Sequence, residues 1–424
     1  MNDSKSKNIL LLSIIGDALG STCEGLSRGH IQSLAGDREN YFDPPVKKID
    51  AEKWRKPGLY TSISQLMLLL SFSNEKKIFT PVMFIKNIGD SPRIEDTGSG
   101  IFRHTGHIEN NLIDNVFNRS PGSSMTQIRS ARVLPLVVPL SLSGTGKENI
   151  IYSAAGLISL FTGDHLTVSG GILLALIIHS LVTNGENEMG SILDLSLELN
   201  RGLEQFVEKH SSAFFEMKIN PEMLISSCRV YTEFLDELRG APDKEAGERI
   251  IYSRINASFK MNIKKATIDN PLAILPYSLV LLRHYRNSPS GALQEIAREG
   301  GASSALTSIS GALLGCHVPH DIIPGALINN LVNKKRIRAA IDMIISGHIP
   351  DGALEDFLMS ESRLTMKEIE EYRARQKKNK SGGKDKKTKR DRDYDLSRHV
   401  VESWTKLDKA KWKKSKKNLP DFEE

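Results

Sequence analysis

The sequence predicts an all-α protein with a basic C-terminal extension. Apolar residues recur at spacings of three and four, the period of a helix with one buried face, in residues 150–161, 172–181, 223–238 and 272–284. Sustained alternation of β-branched and polar residues, which would indicate a sheet, is missing from the sequence. Proline, glycine and asparagine pairs separate the apolar segments, where helix connections are expected. With 424 residues, 39% of them hydrophobic, the chain can bury a large core.

The first element is predicted to be a buried helix rather than a signal peptide. Lys5 and Lys7 precede a short apolar stretch, residues 9–15, but the charged Asp17 stands where a signal peptide needs small neutral residues before its cleavage site. Residues 166–182 carry no charge, yet these 17 residues fall short of the ~20 that a bilayer requires. We therefore predict a central core helix at 166–182 and no transmembrane span.

Charge and cysteine content bound the location and the partners. The three cysteines lie far apart, which favours a reducing compartment, and we predict a cytoplasmic protein. Residues 373–417 hold 19 Lys and Arg against 6 Asp and Glu, a net charge of +13. Because the whole chain has a net charge of +6, the rest of it carries −7. Attraction to a polyanion must therefore come from the C-terminal extension.

Two glycine-bounded segments indicate a family. Residues 58–65 read Gly-Leu-Tyr-Thr-Ser-Ile-Ser-Gln, and residues 300–305 read Gly-Gly-Ala-Ser-Ser-Ala, followed by Gly-Ala-Leu-Leu-Gly at 311–315. They resemble the two signature segments of the ADP-ribosylglycohydrolase family, and residues 16–24 and 132–136 resemble two further family motifs in the same order. The resemblance implies an ADP-ribosylglycohydrolase-like orthogonal helical bundle in residues 1–345, with both segments lining one cleft.

The family's metal chemistry does not carry over to these residues. In the family the segments read Gly-x-Tyr-Thr-Asp-Asp-Thr-Gln and Gly-Gly-Asp-x-Asp-Thr, and their aspartates hold two Mg²⁺ ions. Here the first pair corresponds to Ser62-Ile63, and the later aspartates to Ala302 and Ser304. Because Mg²⁺ is usually held by carboxylates, we predict no metal and no cofactor. The substrate-binding loop also differs, since Ile128 replaces a glycine that would let the backbone approach a phosphate.

The loss of these aspartates predicts a pseudoenzyme, a non-catalytic binding or scaffolding protein whose cleft holds a nucleotide-like small molecule. The alternative is an active ADP-ribosyl hydrolase that uses Glu24 in a remodelled or metal-independent site, and Mg²⁺ belongs to that alternative. The candidate cleft residues are Asp17, Glu24, Thr61, Ser62, Ser303 and Ser304. Residues 103–105, Arg-His-Thr, lie where family members have a substrate-facing loop.

Each candidate also has a purely structural interpretation. Glu24 fits a surface or helix-capping role, and Asp17 fits a buried hydrogen-bonding role near a helix end. Ser303 and Ser304 precede an apolar helix, as N-cap serines do. His317 and His320 have a metal-like spacing, but no cysteine or acidic residue stands near them, so they are not predicted to bind a metal.

The C-terminal extension is predicted to have three parts: a helical extension at 346–375, a charged linker at 376–395, and a basic amphipathic helix and tail at 396–424. One apolar stripe of that last helix consists of Leu396, Val400, Trp404 and Leu407. We predict that the tail docks on RNA or a ribonucleoprotein; an acidic protein groove, an anionic membrane surface or a purely solubilising role are the alternatives. The candidate polyanion-binding residues are Lys406, Lys409, Lys411, Lys413, Lys414 and Trp404.

Overall fold

A computed structural model describes residues 3–34, 40–43, 54–75, 78–94, 97–118, 126–183, 192–289, 291–318 and 323–381. The predicted tail at 396–424, with all six polyanion-binding candidates, lies outside the described residues, as does His320. The all-α prediction is confirmed: the described chain is built from helices, and its strands are the two-residue β1 (Asn74–Glu75) and β2 (Ile78–Phe79), paired antiparallel.

The helices follow one another with short connections. The first nine are α1 Asp3–Ser21, α2 Arg28–Leu34, α3 Ser62–Leu69, α4 Pro81–Gly89, α5 His107–Phe117, α6 Val138–Ser141, α7 Lys147–Ser159, α8 His165–Thr183 and α9 Ile192–Lys209. The other nine are α10 Ser211–Glu216, α11 Pro221–Arg239, α12 Lys244–Phe259, α13 Pro271–Tyr285, α14 Ala292–Ala297, α15 Ser303–Gly315, α16 Gly325–Asn330, α17 Lys334–Ser346 and α18 Ala353–Ser381. Short 3-10 helices occupy Leu70–Phe72 and Leu134–Val137.

Local sequence explains where the long helices begin. Both α11 and α13 open with an Asn-Pro pair, in which the asparagine side chain accepts a backbone hydrogen bond from the first turn. Asn220 accepts from Glu222 N at 3.0 Å, and Asn270 accepts from Leu272 N at 2.9 Å. The following proline has no N–H to satisfy and a φ that already suits a helix. The apolar periodicity of 223–238 and 272–284 therefore lies inside these two helices.

Glycines bring α1 and α15 into backbone contact at the centre of the fold. A Cβ on Gly16 would lie 2.1 Å from Thr307 O, and a Cβ on Gly311 would lie 2.2 Å from Leu12 O. No side chain larger than hydrogen fits at either position without moving one helix away from the other. The pairing places the C-terminal end of α1 beside the first turn of α15, which is where the candidate cleft residues meet.

Helix α8 is the uncharged helix predicted for the core. It has 19 residues, so its length and composition would suffice to cross a membrane, contrary to the count of 17 made from the sequence. Its most apolar window is 89% buried within the protein. Such burial is typical of the central helix of a globular domain.

Helix α18 covers most of the predicted helical extension and continues beyond it. It runs from Ala353 to Ser381, so the first residues of the predicted charged linker, 376–381, are helical. The helix packs on the body through buried residues that include Phe357 and Leu358. Phe357 lies with its ring centroid 5.4 Å from that of Phe72, just after α3.

Candidate functional site

The first half of the site is the start of α3, which a carboxylate from α1 holds in place. Thr61 is the N-cap of α3 and accepts a hydrogen bond from Ile63 N. The fully buried Asp17 accepts four hydrogen bonds: from Thr61 N at 2.9 Å, Thr61 Oγ1 at 2.8 Å, Ser64 N at 3.1 Å and Ser64 Oγ at 2.6 Å. Burial raises the pKa of Asp17, while the hydrogen bonds from Ser64 and Thr61 oppose that rise. Asp17 thus fastens α1 to the first signature segment.

The second half is the start of α15, and here a carboxylate from the turn after α1 provides the cap. Glu24 Oε2 accepts from Ser304 N at 2.7 Å and from Ser303 Oγ at 3.4 Å. A negative charge at this position also interacts favourably with the helix dipole. The structure therefore gives Glu24 a capping contact, with its side chain still 28% exposed.

The N-cap interpretation of Ser303 and Ser304 is wrong. The N-cap of α15 is Ala302, whose side chain makes no hydrogen bond, and Ser303 is the first helical residue. The Ser303 hydroxyl donates to Gly20 O at 2.7 Å instead, because α1 lies directly beside it. The Ser304 hydroxyl is buried and has no hydrogen-bond partner in the described part of the chain.

Two glycines with positive φ make the Glu24 contact possible. Gly300 has φ +71° and Gly301 has φ +66°, a conformation that residues with a Cβ rarely adopt. The turn lets Gly301 N donate to Leu26 O at 3.0 Å while Gly301 O accepts from Gly25 N at 2.9 Å. The chain after α1 and the chain before α15 are thereby held side by side, with Glu24 over the helix start.

Arg132 joins the two halves. Its Nε donates to Glu109 Oε1 at 2.8 Å, its Nη2 donates to Ser62 Oγ at 3.3 Å, and its Nη1 lies 3.7 Å from Glu24 Oε1. Nη2 also donates to His104 O at 2.8 Å. Burial alone would lower the pKa of Arg132, but the carboxylates of Glu109 and Glu24 raise it above the ordinary value, so the guanidinium stays charged.

Glu109 was not among the residues predicted from the sequence. It lies in the first turn of α5, where its Oε2 accepts from Gly106 N at 3.0 Å and its Oε1 accepts from Ser62 Oγ at 3.1 Å. The sequence carries a weak signal for it, since a glycine three residues before a glutamate is compatible with a helix start. That signal indicates a cap but not the contact with Arg132.

This arrangement does not fit a pair of Mg²⁺ ions. At the positions where the resemblance places aspartates, Ser62 is hydrogen-bonded to Glu109, and Ile63 is 1% exposed in the apolar core. Glu109 and Glu24 already face the positive charge of Arg132, which would repel a metal ion bound beside them. Across the described ranges, no group of three or more His, Cys, Asp or Glu side chains is arranged to hold a metal ion.

The segment corresponding to the substrate-binding loop uses its polar groups internally. The Thr162 hydroxyl donates to Ile128 O at 2.7 Å, and Arg129 Nη2 pairs with Asp164 Oδ2 at 3.0 Å. The Ser130 hydroxyl and Ala131 N both donate to the carboxylate of Asp269, each at 2.7 Å. Backbone amides that would cradle a phosphate are therefore not arranged as a glycine-rich loop would present them.

Comparisons with known proteins agree with this fold. The model of the ADP-ribosylglycohydrolase family matches residues 2–353. A solved structure titled "ADP-ribosylglycohydrolase-related protein complex" superposes with a TM-score of 0.51 over 81% of this chain and 98% of that chain, at 13% sequence identity. At that identity the likeness concerns the fold alone. No curated protein matches the chain.

Proposed function

This chain belongs to the ADP-ribosylglycohydrolase family, and we propose that within it the protein is a pseudoenzyme, a non-catalytic binding or scaffolding protein. The observation that carries this proposal is the position of Arg132. Its guanidinium lies between Ser62 of the first segment and Glu24 of the second, where it holds both halves together with charge that the protein itself supplies. The positive charge at the centre of the cleft is thus a fixed side chain.

The carboxylates near the cleft have structural work that competes with catalysis. A general base must reach the proton it abstracts and have a free lone pair in that direction. Asp17 has none to spare, because four donors surround it. Glu24 spends Oε2 on the first turn of α15, and its other oxygen faces Arg132.

The α15 half nevertheless keeps groups that suit a hydroxylated, nucleotide-like ligand. Glu24 is partly exposed and offers an acceptor, while the Ser304 hydroxyl beside it is buried without a partner. A ligand hydroxyl or amide in contact with both would satisfy the serine and leave the backbone cap in place. The proposal therefore places ligand contacts at Glu24 and Ser304 and assigns no reaction to them.

Calorimetry and turnover assays test the proposal together. ADP-ribose would be titrated into the full chain with and without Mg²⁺, and hydrolysis of ADP-ribosyl-arginine and ADP-ribosyl-serine would be followed in parallel. We expect binding that is independent of Mg²⁺ and weakened by Ser304→Ala, with no hydrolysis. Turnover that Glu24→Gln abolishes, and that Glu198→Gln on the exposed face of α9 leaves intact, would establish the hydrolase alternative instead.

For the C-terminal tail we propose docking on RNA or a ribonucleoprotein, supported by the charge distribution. Residues 373–417 carry +13 on a chain whose remainder carries −7. Because α18 continues to Ser381, a truncation after that residue removes the tail without cutting the helix. We expect removal of residues 382–424 to abolish RNA binding at moderate salt.

The salt dependence separates this contact from the bland alternative. Each phosphate contact should lower the logarithm of the affinity by about 0.7–0.9 for every tenfold rise in salt. Replacing Lys406, Lys409, Lys411, Lys413 and Lys414 with glutamine should flatten that slope, and Trp404→Ala should weaken binding without changing it. RNA binding that survives the truncation, or that the full chain never shows, would return the tail to a solubilising role.

A further inference from the structure

Helix α18 presents a buried polar face to the body. Glu361, Thr365 and Glu368, at spacings of four and three, are 0%, 2% and 6% exposed. A packed helix usually buries apolar residues, and a buried carboxylate is costly unless donors and a cation surround it. The family model ends at residue 353, where α18 begins, so this face belongs to the part of the chain that the family does not share.

The carboxylate of Glu361 occupies a complete set of donors. Oε1 accepts from Tyr60 Oη at 2.5 Å and Asn333 Nδ2 at 3.2 Å. Oε2 accepts from Arg103 Nη2 at 2.7 Å and Gln65 Nε2 at 2.9 Å. Two donors on each oxygen, one of them charged, are what a carboxylate requires when it leaves water. These four body residues have the composition of a carboxylate-binding site.

A second anchor lies two turns further along α18. Glu368 accepts from Lys56 N at 3.0 Å and contacts His104 Nε2 at 2.9 Å. Beyond it, the guanidinium of Arg375 lies 4.3 Å from the ring centroid of Trp54. The helix is therefore held along three successive stretches, and polar contacts dominate the two that follow Leu358.

The residues that bind α18 are also the residues that shape the cleft. Arg103 holds Glu361 with its side chain, and its carbonyl accepts from Ser62 N at 2.7 Å. His104 contacts Glu368 with its ring, and its carbonyl accepts from Arg132 at 2.8 Å. A change in the docking of α18 therefore reaches Ser62 and Arg132 through two consecutive residues.

We propose that Tyr60, Gln65, Arg103 and Asn333 form a carboxylate-binding site on the family domain, and that α18 docks there as a tethered acidic ligand whose docking sets the shape of the cleft. Interfaces that form and separate are more polar than permanent cores, as this one is. The proposal does not depend on whether the cleft binds a nucleotide or catalyses a reaction.

Trp54 supplies the reporter for a test in the full chain. The protein has three tryptophans, so Trp404→Phe with Trp412→Phe leaves Trp54 alone, 3% exposed beneath Arg375. In this background Glu361→Ala would be compared with Glu370→Ala, an exposed glutamate on the same helix. Acrylamide quenching of Trp54 and hydrogen exchange of α18, α1 and α15 would be measured with and without formate.

We expect Glu361→Ala to raise quenching of Trp54 and to speed exchange in α18 and in residues 101–105 by about tenfold or more, with α1 and α15 unchanged. Formate should restore both readouts by filling the vacated donors, while chloride at equal ionic strength should not. Glu370→Ala should behave like the parent. Glu361→Gln, which keeps the shape and loses the charge, should fall between the two.

Three results would overturn the proposal. Glu361→Ala could leave quenching and exchange unchanged, which would show that no carboxylate is needed. Exchange could rise equally in α1, α15 and α18, or neither Glu361 variant could fold, which would make α18 an integral core helix. Formate could fail to restore docking, which would show that the donors do not form a site.

Discussion

At the start of α3 the carboxylate of Asp17 is fully buried and accepts four hydrogen bonds, whereas at the start of α15 the carboxylate of Glu24 accepts two and stays 28% exposed. Both acids come from α1 or the turn that follows it, and both stabilise the first turn of another helix. The α3 half also contains hydroxyls that are all paired, those of Thr61, Ser62 and Ser64. The α15 half contains the unpaired hydroxyl of Ser304.

The difference shows how one ancestral arrangement can be divided between structure and binding. Where the acidic residues of the first segment are replaced, the surrounding polar groups pair with one another and with Arg132. Polar groups that are completely paired in a buried site stabilise the fold and have little to offer a ligand. The α15 half, which keeps an exposed acceptor, is where a ligand would still find a partner.

Removing Arg132 should give the largest effect, because both halves rely on it. Arg132→Met would leave Glu109, 1% exposed, without its cation. We expect a loss of about 3–5 kcal/mol in the free energy of unfolding, measured by urea denaturation. Arg129→Met is the matched control: its guanidinium is 32% exposed and pairs with Asp164, so we expect about 1 kcal/mol or less.

The same pair can be tested by a double-variant cycle. Adding Glu109→Gln to Arg132→Met removes the uncompensated charge and should recover part of the lost stability. If Arg132→Met costs no more than Arg129→Met, Arg132 does not hold the two halves together, and the comparison drawn here loses its centre.

The two capping acids should differ next. Asp17→Asn keeps one oxygen and turns an amino group toward donors, so we expect a loss of about 2–3 kcal/mol. Glu24→Gln keeps an acceptor for Ser304 N at a partly exposed site, so we expect about 1 kcal/mol or less. Thermal and urea unfolding of the two variants would be compared under one set of conditions. Equal losses would mean that the α15 half is as closed as the α3 half.

The sequence predicted the helices and the meeting of the two segments because both depend on local patterns. Apolar spacing of three and four predicts α7, α8, α11 and α13 without knowledge of their neighbours. The glycines at 300 and 301 are equally legible, since each occupies a backbone conformation that other residues avoid. Resemblance to the family then placed residues 58–65 and 300–315 at one cleft.

The partners inside the cleft could not be predicted in the same way. Ser62, Glu109 and Arg132 lie far apart in the sequence and carry no mutual spacing signal, and Glu361 belongs to a helix outside the family match. Ser303 was interpreted as an N-cap because serine before a helix usually caps it. That interpretation failed because a tertiary contact brings Glu24 to the helix start, and propensity contains no information about such a contact.

The smallest expected effect tests the comparison most directly, through one hydroxyl in each half. Ser64→Ala removes a donor that lies 2.6 Å from Asp17, and we expect it to cost about 1–3 kcal/mol because the carboxylate loses a buried hydrogen bond. Ser304→Ala removes a buried hydroxyl that has no partner in the described structure, so the free protein should be unchanged or more stable by up to about 1 kcal/mol. Unfolding in urea measures both costs, and titration with ADP-ribose adds the second readout, since the proposal predicts weaker binding for Ser304→Ala and unchanged binding for Ser64→Ala. If Ser304→Ala destabilises the free protein as much as Ser64→Ala does, the Ser304 hydroxyl is already satisfied, and the α15 half has no more room for a ligand than the α3 half.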